Sequence, residues 1–275
     1  MTNDRFPVWD VHHHWVNEPG YIDRMLREMD RLGIERVGLI AMGDLIPDLF
    51  LMKESRSGEA DNEDLAAVVQ QHGDRIWGWG FIRLGDHRDD EVDRLAEIGM
   101  AGLKFHVPRQ PYDSEDYFPV YERAQALGLP CLFHTGIFTP PQPMPGAGFR
   151  SHHCRPIYLE SIAQEFPQLR MICAHLGVCW NDEAAAVCRI CQNIYADLSG
   201  SLGGWRSSKS VEWFQNTLYW PTAHEKILFG SDVHADEIES TLSEHQQLFE
   251  DMGWNTNQIR AVFSENAKRI LAPHD

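Results

Sequence analysis

With 275 residues, 43 % of them hydrophobic, the chain can bury one large core, and a single α/β domain over 1–275 is the organisation expected. A formal net charge of −17 repels nucleic-acid phosphates and anionic membrane surfaces, so the expected partner is a small-molecule substrate, with no nucleic acid and no membrane. No run approaches the roughly 18 to 20 consecutive apolar residues that span a bilayer, and Met1-Thr2-Asn3-Asp4-Arg5 lacks the basic-then-apolar opening of a signal peptide, so a cytoplasmic protein is expected.

Short apolar runs alternate with helical patterns along the chain, as in a parallel sheet covered by helices. Pro7 to His12 reads as the first strand and precedes a helix over Tyr21 to Leu32. Arg36 to Met42 leads to Asn62 to Gln71, Ile76 to Ile82 to Asp89 to Ile98, and Gly102 to His106 to Tyr117 to Leu127. Cys131 to Thr135 is the fifth strand, and helix Pro156 to Glu165 follows it. Met171 to His175, Asn193 to Ser199 and Lys226 to Gly230 complete eight strands, before a helix over Glu237 to Met252 and a C-terminal helix. Gly33, Gly73, Gly99, Gly128 and Gly253 stand just past helices, where a left-handed residue ends the last turn. Residues Thr139 to Pro145 hold four prolines and, with Gly146 and Gly148, predict a long loop over one face of the fold. Eight such units match a (β/α)8 TIM barrel, whose active sites form at the C-terminal strand ends.

Histidines and an aspartate fall at those ends. Strand alternation puts His12 and His14 on one face and His13 on the other, so two imidazoles can reach one ion. His134, His175 and Asp232 end strands 5, 6 and 8. Neutral imidazoles and carboxylates suit zinc, manganese or ferrous iron, so His12, His14, His134 and Asp232 are the expected ligands of one divalent ion. Such an ion acidifies bound water and polarises a carbonyl. Asp232 is then the expected general base and His175 the group that polarises the carbonyl or steadies the oxyanion. Asp10 points inward below His12, where it orients an imidazole through a hydrogen bond.

Other residues carry two readings each. Lys104 and His106 share a face at the end of strand 4 and reach either substrate or structural partners. Arg83, Arg109, Arg150 and Arg155 follow strands 3 to 5, placed to clamp a substrate carboxylate or to pair with surface acids. Trp15, Trp180 and Trp205 either line a pocket or pack under loops, and His152 and His153 sit in the loop after strand 5. The six cysteines read as free, mostly buried thiols, with a zinc clip at Cys179, Cys188 and Cys191 the minor alternative.

In order, Asp10-Val11-His12-His13-His14, Gly102-Leu103-Lys104-Phe105-His106, Phe133-His134-Thr135-Gly136, Ala174-His175-Leu176-Gly177 and Leu228-Phe229-Gly230-Ser231-Asp232 resemble the amidohydrolase superfamily. More narrowly the chain resembles its amidohydrolase 2 group, supported by Arg155-Pro156, Phe166-Pro167 and Glu265-Asn266-Ala267. The resemblance implies one zinc or manganese ion on His12, His14, His134 and Asp232, with His175 beside it, zinc being the first expectation. Some relatives carry a carboxylated lysine at the end of strand 4 that bridges two metals, but a second ion through Lys104 is not the expectation here. Relatives include amide and lactone hydrolases, decarboxylases and hydratases. The function expected is hydrolysis of a small, carboxylated amide, ester or lactone, and the alternative is a lyase on the same site. Helix faces of a barrel also leave room for a homo-oligomer.

Overall fold

A computed structural model of the chain describes residues 6–16, 18–43, 60–138, 148 and 150–271. Eight strands, β1 Val8–His14, β2 Ile34–Ile40, β3 Ile76–Ile82, β4 Gly102–Phe105, β5 Cys131–Phe133, β6 Met171–Cys173, β7 Ile194–Asp197 and β8 Ile227–Leu228, lie parallel in sequence order. Backbone bonds from Val11 N to Phe229 O (2.9 Å) and from Asp232 N to His12 O (2.7 Å) bring the end of the sheet back to its beginning. The result is the (β/α)8 barrel expected.

Ten α-helices cover the described part of the barrel: α1 Tyr21–Leu32, α2 Asn62–His72, α3 Asp89–Glu97, α4 Phe118–Ala126, α5 Tyr158–Glu165, α6 Asn181–Ile190, α7 Val211–Thr217, α8 Ile238–Asp251, α9 Thr256–Arg260 and α10 Asn266–Leu271. Alternation along each strand sorts the apolar residues into two clusters. Leu103, Phe105, Cys131, Phe133, Met171 and Cys173 face the helices. Val11, Trp79, Phe81, Leu132, Ile172 and Leu228 fill the barrel, and Ile270 and Leu271 of α10 pack against them. The indole of Trp79 fits because Gly38 and Gly102 carry no Cβ. One built there would lie 2.5 and 2.4 Å from the ring.

Strands β2 and β4 to β8 stop one or two residues earlier than the apolar pattern predicts, whereas β1 runs on to His14. The backbone departs from the ladder there: Val107, His175, Leu176 and Asp232 all have positive φ. Thr135, read as strand, instead turns its hydroxyl to Ala174 O at 2.5 Å. Of the five glycines expected to end helices in the left-handed conformation, Gly33, Gly99, Gly128 and Gly253 do so. Gly73 does not; it continues α2 in the right-handed region at φ −64°. The proline-rich segment Thr139 to Pro145 lies outside the described residues.

Candidate active site

Strand β1 supplies the first side chains. Its pairing with β2 shifts register between Asp10 and His13, a bulge that leaves His12 and His14 on the same side, ring centroids 5.5 Å apart. His13 faces the other way, as expected, with Nδ1 2.9 Å from Ser231 Oγ and Nε2 2.7 Å from Tyr21 OH on α1. Asp10 departs from its expected role. Its Oδ1 accepts the backbone N–H of His12 (3.1 Å) and of Ser231 (2.9 Å), so it joins β1 to the residues after β8; the imidazole nearest its other oxygen is that of His13, with Nδ1 3.8 Å from Oδ2, and not that of His12. Burial pushes its carboxyl up to about 7.

The residue that holds His12 is Asp197, at the end of β7. Its Oδ2 lies 2.9 Å from His12 Nδ1, and its Oδ1 accepts from His175 N (2.8 Å), Ser199 N (3.0 Å) and Ser199 Oγ (2.5 Å). Burial opposes ionisation of Asp197, but the His12 ring and its hydrogen bond, with His175 and Ser199 close by, outweigh it and hold the carboxyl far below its usual range. On the other side of the ring, His12 Nε2 lies 3.0 Å from Nζ of Lys104, a fully buried amine that burial pushes down to about 8.

A cavity of about 320 Å³ opens above these residues, with His14, His106, His134, His175 and Asp232 in its wall. His106 and His134 stack at 3.7 Å, and the His134 ring lies 5.0 Å from that of His175. Asp232 sits between two imidazoles, Oδ1 3.6 Å from His14 Nε2 and Oδ2 3.8 Å from His175 Nδ1. Burial drives His14, His106 and His134 well below the usual imidazole range, and His175 down to about 4, so these rings are neutral at pH 7. His175 and Asp232 adopt positive φ of 58° and 50°, a strained backbone that recurs where side chains are aimed at a site.

Among the described residues, two groups bring ligand atoms within 4.8 Å of one another: His12, His14 and Asp232, and His12, His175 and Asp197. The second is already satisfied by direct hydrogen bonds, whereas His14 and Asp232 of the first face the cavity. His134 stands outside both trios, yet its Nε2 is buried with no hydrogen-bond partner. Neutral imidazoles beside a carboxylate, with a further orphaned imidazole nitrogen at the same cavity, fit a divalent ion of the zinc or manganese type.

Several predicted contacts lie elsewhere. Arg83 donates to Val107 O at 3.2 Å and pairs with Asp86, supporting the loop after β4. Arg109 pairs with the same Asp86, Arg155 with Glu183, and exposed Arg150 is not in the cavity wall. Trp15, Trp180 and Trp205 are absent from that wall too; Trp205 Nε1 instead donates to Ser199 O at 2.9 Å. His153 turns to Pro108 O, and all six cysteines are free, only Cys179 exposed. Sequence reasoning missed Asp197 and Ser199, although their two-residue spacing at the end of an apolar run gives them a common face. It also missed Phe138, Ser201 and His234, which come from loops around the mouth, and Glu237, from the short helical turn that leads into α8.

The model of the amidohydrolase family matches residues 9–272. No curated protein matches the chain. Among solved structures, an uncharacterised TIM-barrel protein from Bordetella bronchiseptica is 17 % identical, with a TM-score of 0.69 over 96 % of this chain and 98 % of that one. A 5-carboxyvanillate decarboxylase from Sphingomonas paucimobilis is 16 % identical, TM-score 0.66, over 98 % of this chain and 100 % of that one. A probable 2-pyrone-4,6-dicarboxylic acid hydrolase from Acinetobacter baumannii, with citric acid bound, is 12 % identical, TM-score 0.63, over 96 % and 98 %. At these identities the likeness is one of fold. The family match extends over nearly the whole barrel, strand-end histidines included, and the chain belongs to the amidohydrolase family.

Proposed function

We propose that the protein is a metal-dependent hydrolase of a small amide, ester or lactone, with His12, His14, His134 and Asp232 as the residues that would hold one divalent ion, zinc first and manganese second. The observation behind this is the position of Asp232, a carboxylate at the wall of the cavity between His14 and His175, at 3.6 and 3.8 Å. When bound, such an ion supplies Lewis acidity, drawing electron density from a substrate carbonyl and making water a stronger acid. The protein's own part is proton management. Asp232 takes the proton of the attacking water and returns it to the leaving group. His175, beside Asp232, steadies the charge that develops on the carbonyl oxygen. Phe138 and Val233 give the cavity wall an apolar part for the non-reacting side of a substrate.

The fold neighbour that decarboxylates 5-carboxyvanillate motivates a second reading, a lyase in which Asp232 delivers a proton to carbon as carbon dioxide leaves. Metal content of the wild type, beside His12→Ala and Asp232→Asn, tests the site. About one equivalent of zinc or manganese, lost in His12→Ala, supports it, and protein that turns over substrate metal-free overturns it. A screen of lactones, amides and hydroxybenzoates in isotopically labelled water then divides the readings. Solvent oxygen in the product marks hydrolysis; carbon dioxide with a solvent-derived hydrogen on carbon marks the lyase.

A further inference from the structure

Asp197 is fully buried and does not reach the cavity, yet the proton positions on two of the site's imidazoles follow from it. An ionised carboxylate only accepts hydrogen bonds. The 2.9 Å contact between Asp197 Oδ2 and His12 Nδ1 therefore has one sense, with the proton on Nδ1. Ser199 has one hydroxyl proton, and it points along the 2.5 Å contact to Asp197 Oδ1. Its oxygen is then an acceptor toward His175 Nδ1 at 2.9 Å and His12 Nδ1 at 3.0 Å. The Ser199 carbonyl, 3.3 Å from His175 Nδ1, can only accept as well. In its neutral form an imidazole has a single N–H, so with Nδ1 the donor each ring keeps an unprotonated Nε2. At His12 that lone pair meets the amine of Lys104.

We propose that Asp197, acting with Ser199, is a positioning residue that fixes His12 and His175 as Nδ1–H tautomers, so that both Nε2 lone pairs are available to the ion or substrate. The inference rests on the metal reading above for its consequence and on the hydrogen bonds alone for the tautomers. The same carboxylate makes the His12 ring a better donor and fixes its plane, an effect that removal of such partners shows as a 10- to 100-fold loss of metal affinity. The competing role is purely structural: Asp197 Oδ1 satisfies the backbone N–H of His175, where the chain turns through positive φ.

Asp197→Asn separates the two. Three donors converge on Oδ1, so the amide oxygen takes that place and the amide nitrogen, a donor, faces His12 Nδ1; the bond that fixes the Nδ1 proton is lost, and only Ser199 Oγ at 3.0 Å remains to accept from it. The cap on His175 N survives. Long-range proton–nitrogen correlation spectra of histidine-labelled full-length protein, with metal removed, read the tautomers; chelator competition reads zinc affinity. The expected result is Nδ1–H alone at His12 in the wild type, a ring no longer fixed in that one tautomer in Asp197→Asn, and zinc bound 10- to 100-fold more weakly by the variant. Unchanged tautomer and zinc affinity within about twofold would leave Asp197 a structural cap only. If the variant does not fold, the wild-type spectrum still decides: a His12 proton on Nε2 overturns the proposal. A wild type with Nδ1–H at His12 that binds neither zinc nor manganese would instead overturn the metal reading and keep the tautomer assignment.

Discussion

Nζ of Lys104, fully buried in the barrel, lies 3.0 Å from Nε2 of His12, on the side of the ring opposite Asp197. An ammonium there competes with any cation for the same lone pair. Lys104→Met keeps the length of the side chain and removes the charge. Zinc should bind this variant at least as tightly as the wild type at pH 7, and a loss of about tenfold or more would show that Lys104 contributes to the ion's hold.

His245 on α8, away from the cavity, contributes to the pH dependence of stability beside the site's own buried imidazoles. It is buried with Nδ1 2.8 Å from Thr241 O and no partner for Nε2, and burial lowers its pKa to about 4 from 6.5. The folded pKa is depressed, so the neutral ring's stability is present above pH 6.5 and lost as pH falls toward 4. The loss is on the order of 3 kcal/mol. Urea unfolding of the wild type and His245→Leu at pH 7, 6, 5 and 4 should show the variant losing less across that range. Parallel curves would remove His245 as the titrating group.

Gly230 lies between the two sides of the site. A Cβ there would stand 2.8 Å from Cβ of His12 and 3.3 Å from Cβ of Asp197. Gly230→Ala therefore pushes the two residues whose hydrogen bond sets the His12 ring. Overpacking of this kind costs roughly 1 to 3 kcal/mol. We expect a lowered unfolding midpoint together with weakened zinc binding, and zinc affinity equal to wild type would show that the site absorbs the methyl.

The thiols give a simple check on packing. Cys179 is exposed, the other five cysteines are buried, and burial pushes Cys154 and Cys173 up to about 12. Thiol titration of native protein should count one fast-reacting group and six in urea. More than one fast group in the native protein would mean that the barrel wall opens readily.

The barrel was legible because parallel strands buried on both faces read as short continuous apolar runs, of which β3, all seven residues buried, is the clearest. The histidines were legible because a polar residue at the end of such a run stands out. Asp197 did not, since its partner His12 is 185 positions away and nothing near it in sequence marks the pairing. Asp10 was expected to orient an imidazole by a hydrogen bond, but its Oδ1 is taken by the backbone N–H groups of His12 and Ser231, the second of them 221 positions away and invisible in the sequence. Loop residues around the mouth, such as Ser201 and His234, follow no periodicity and become visible only once the barrel brings them together.

The bond from Ser231 N to Asp10 joins residues 221 positions apart, and Asp232 N to His12 O lies beside it, so the ring is fastened where its first and last strands meet. During synthesis the histidines of β1 leave the ribosome long before Asp232 does. Of the proposed ligands His134 follows with β5, and Asp232 comes last, with the strand that closes the ring. On the proposed ligand set, a complete site thus exists only once the circle of strands is shut.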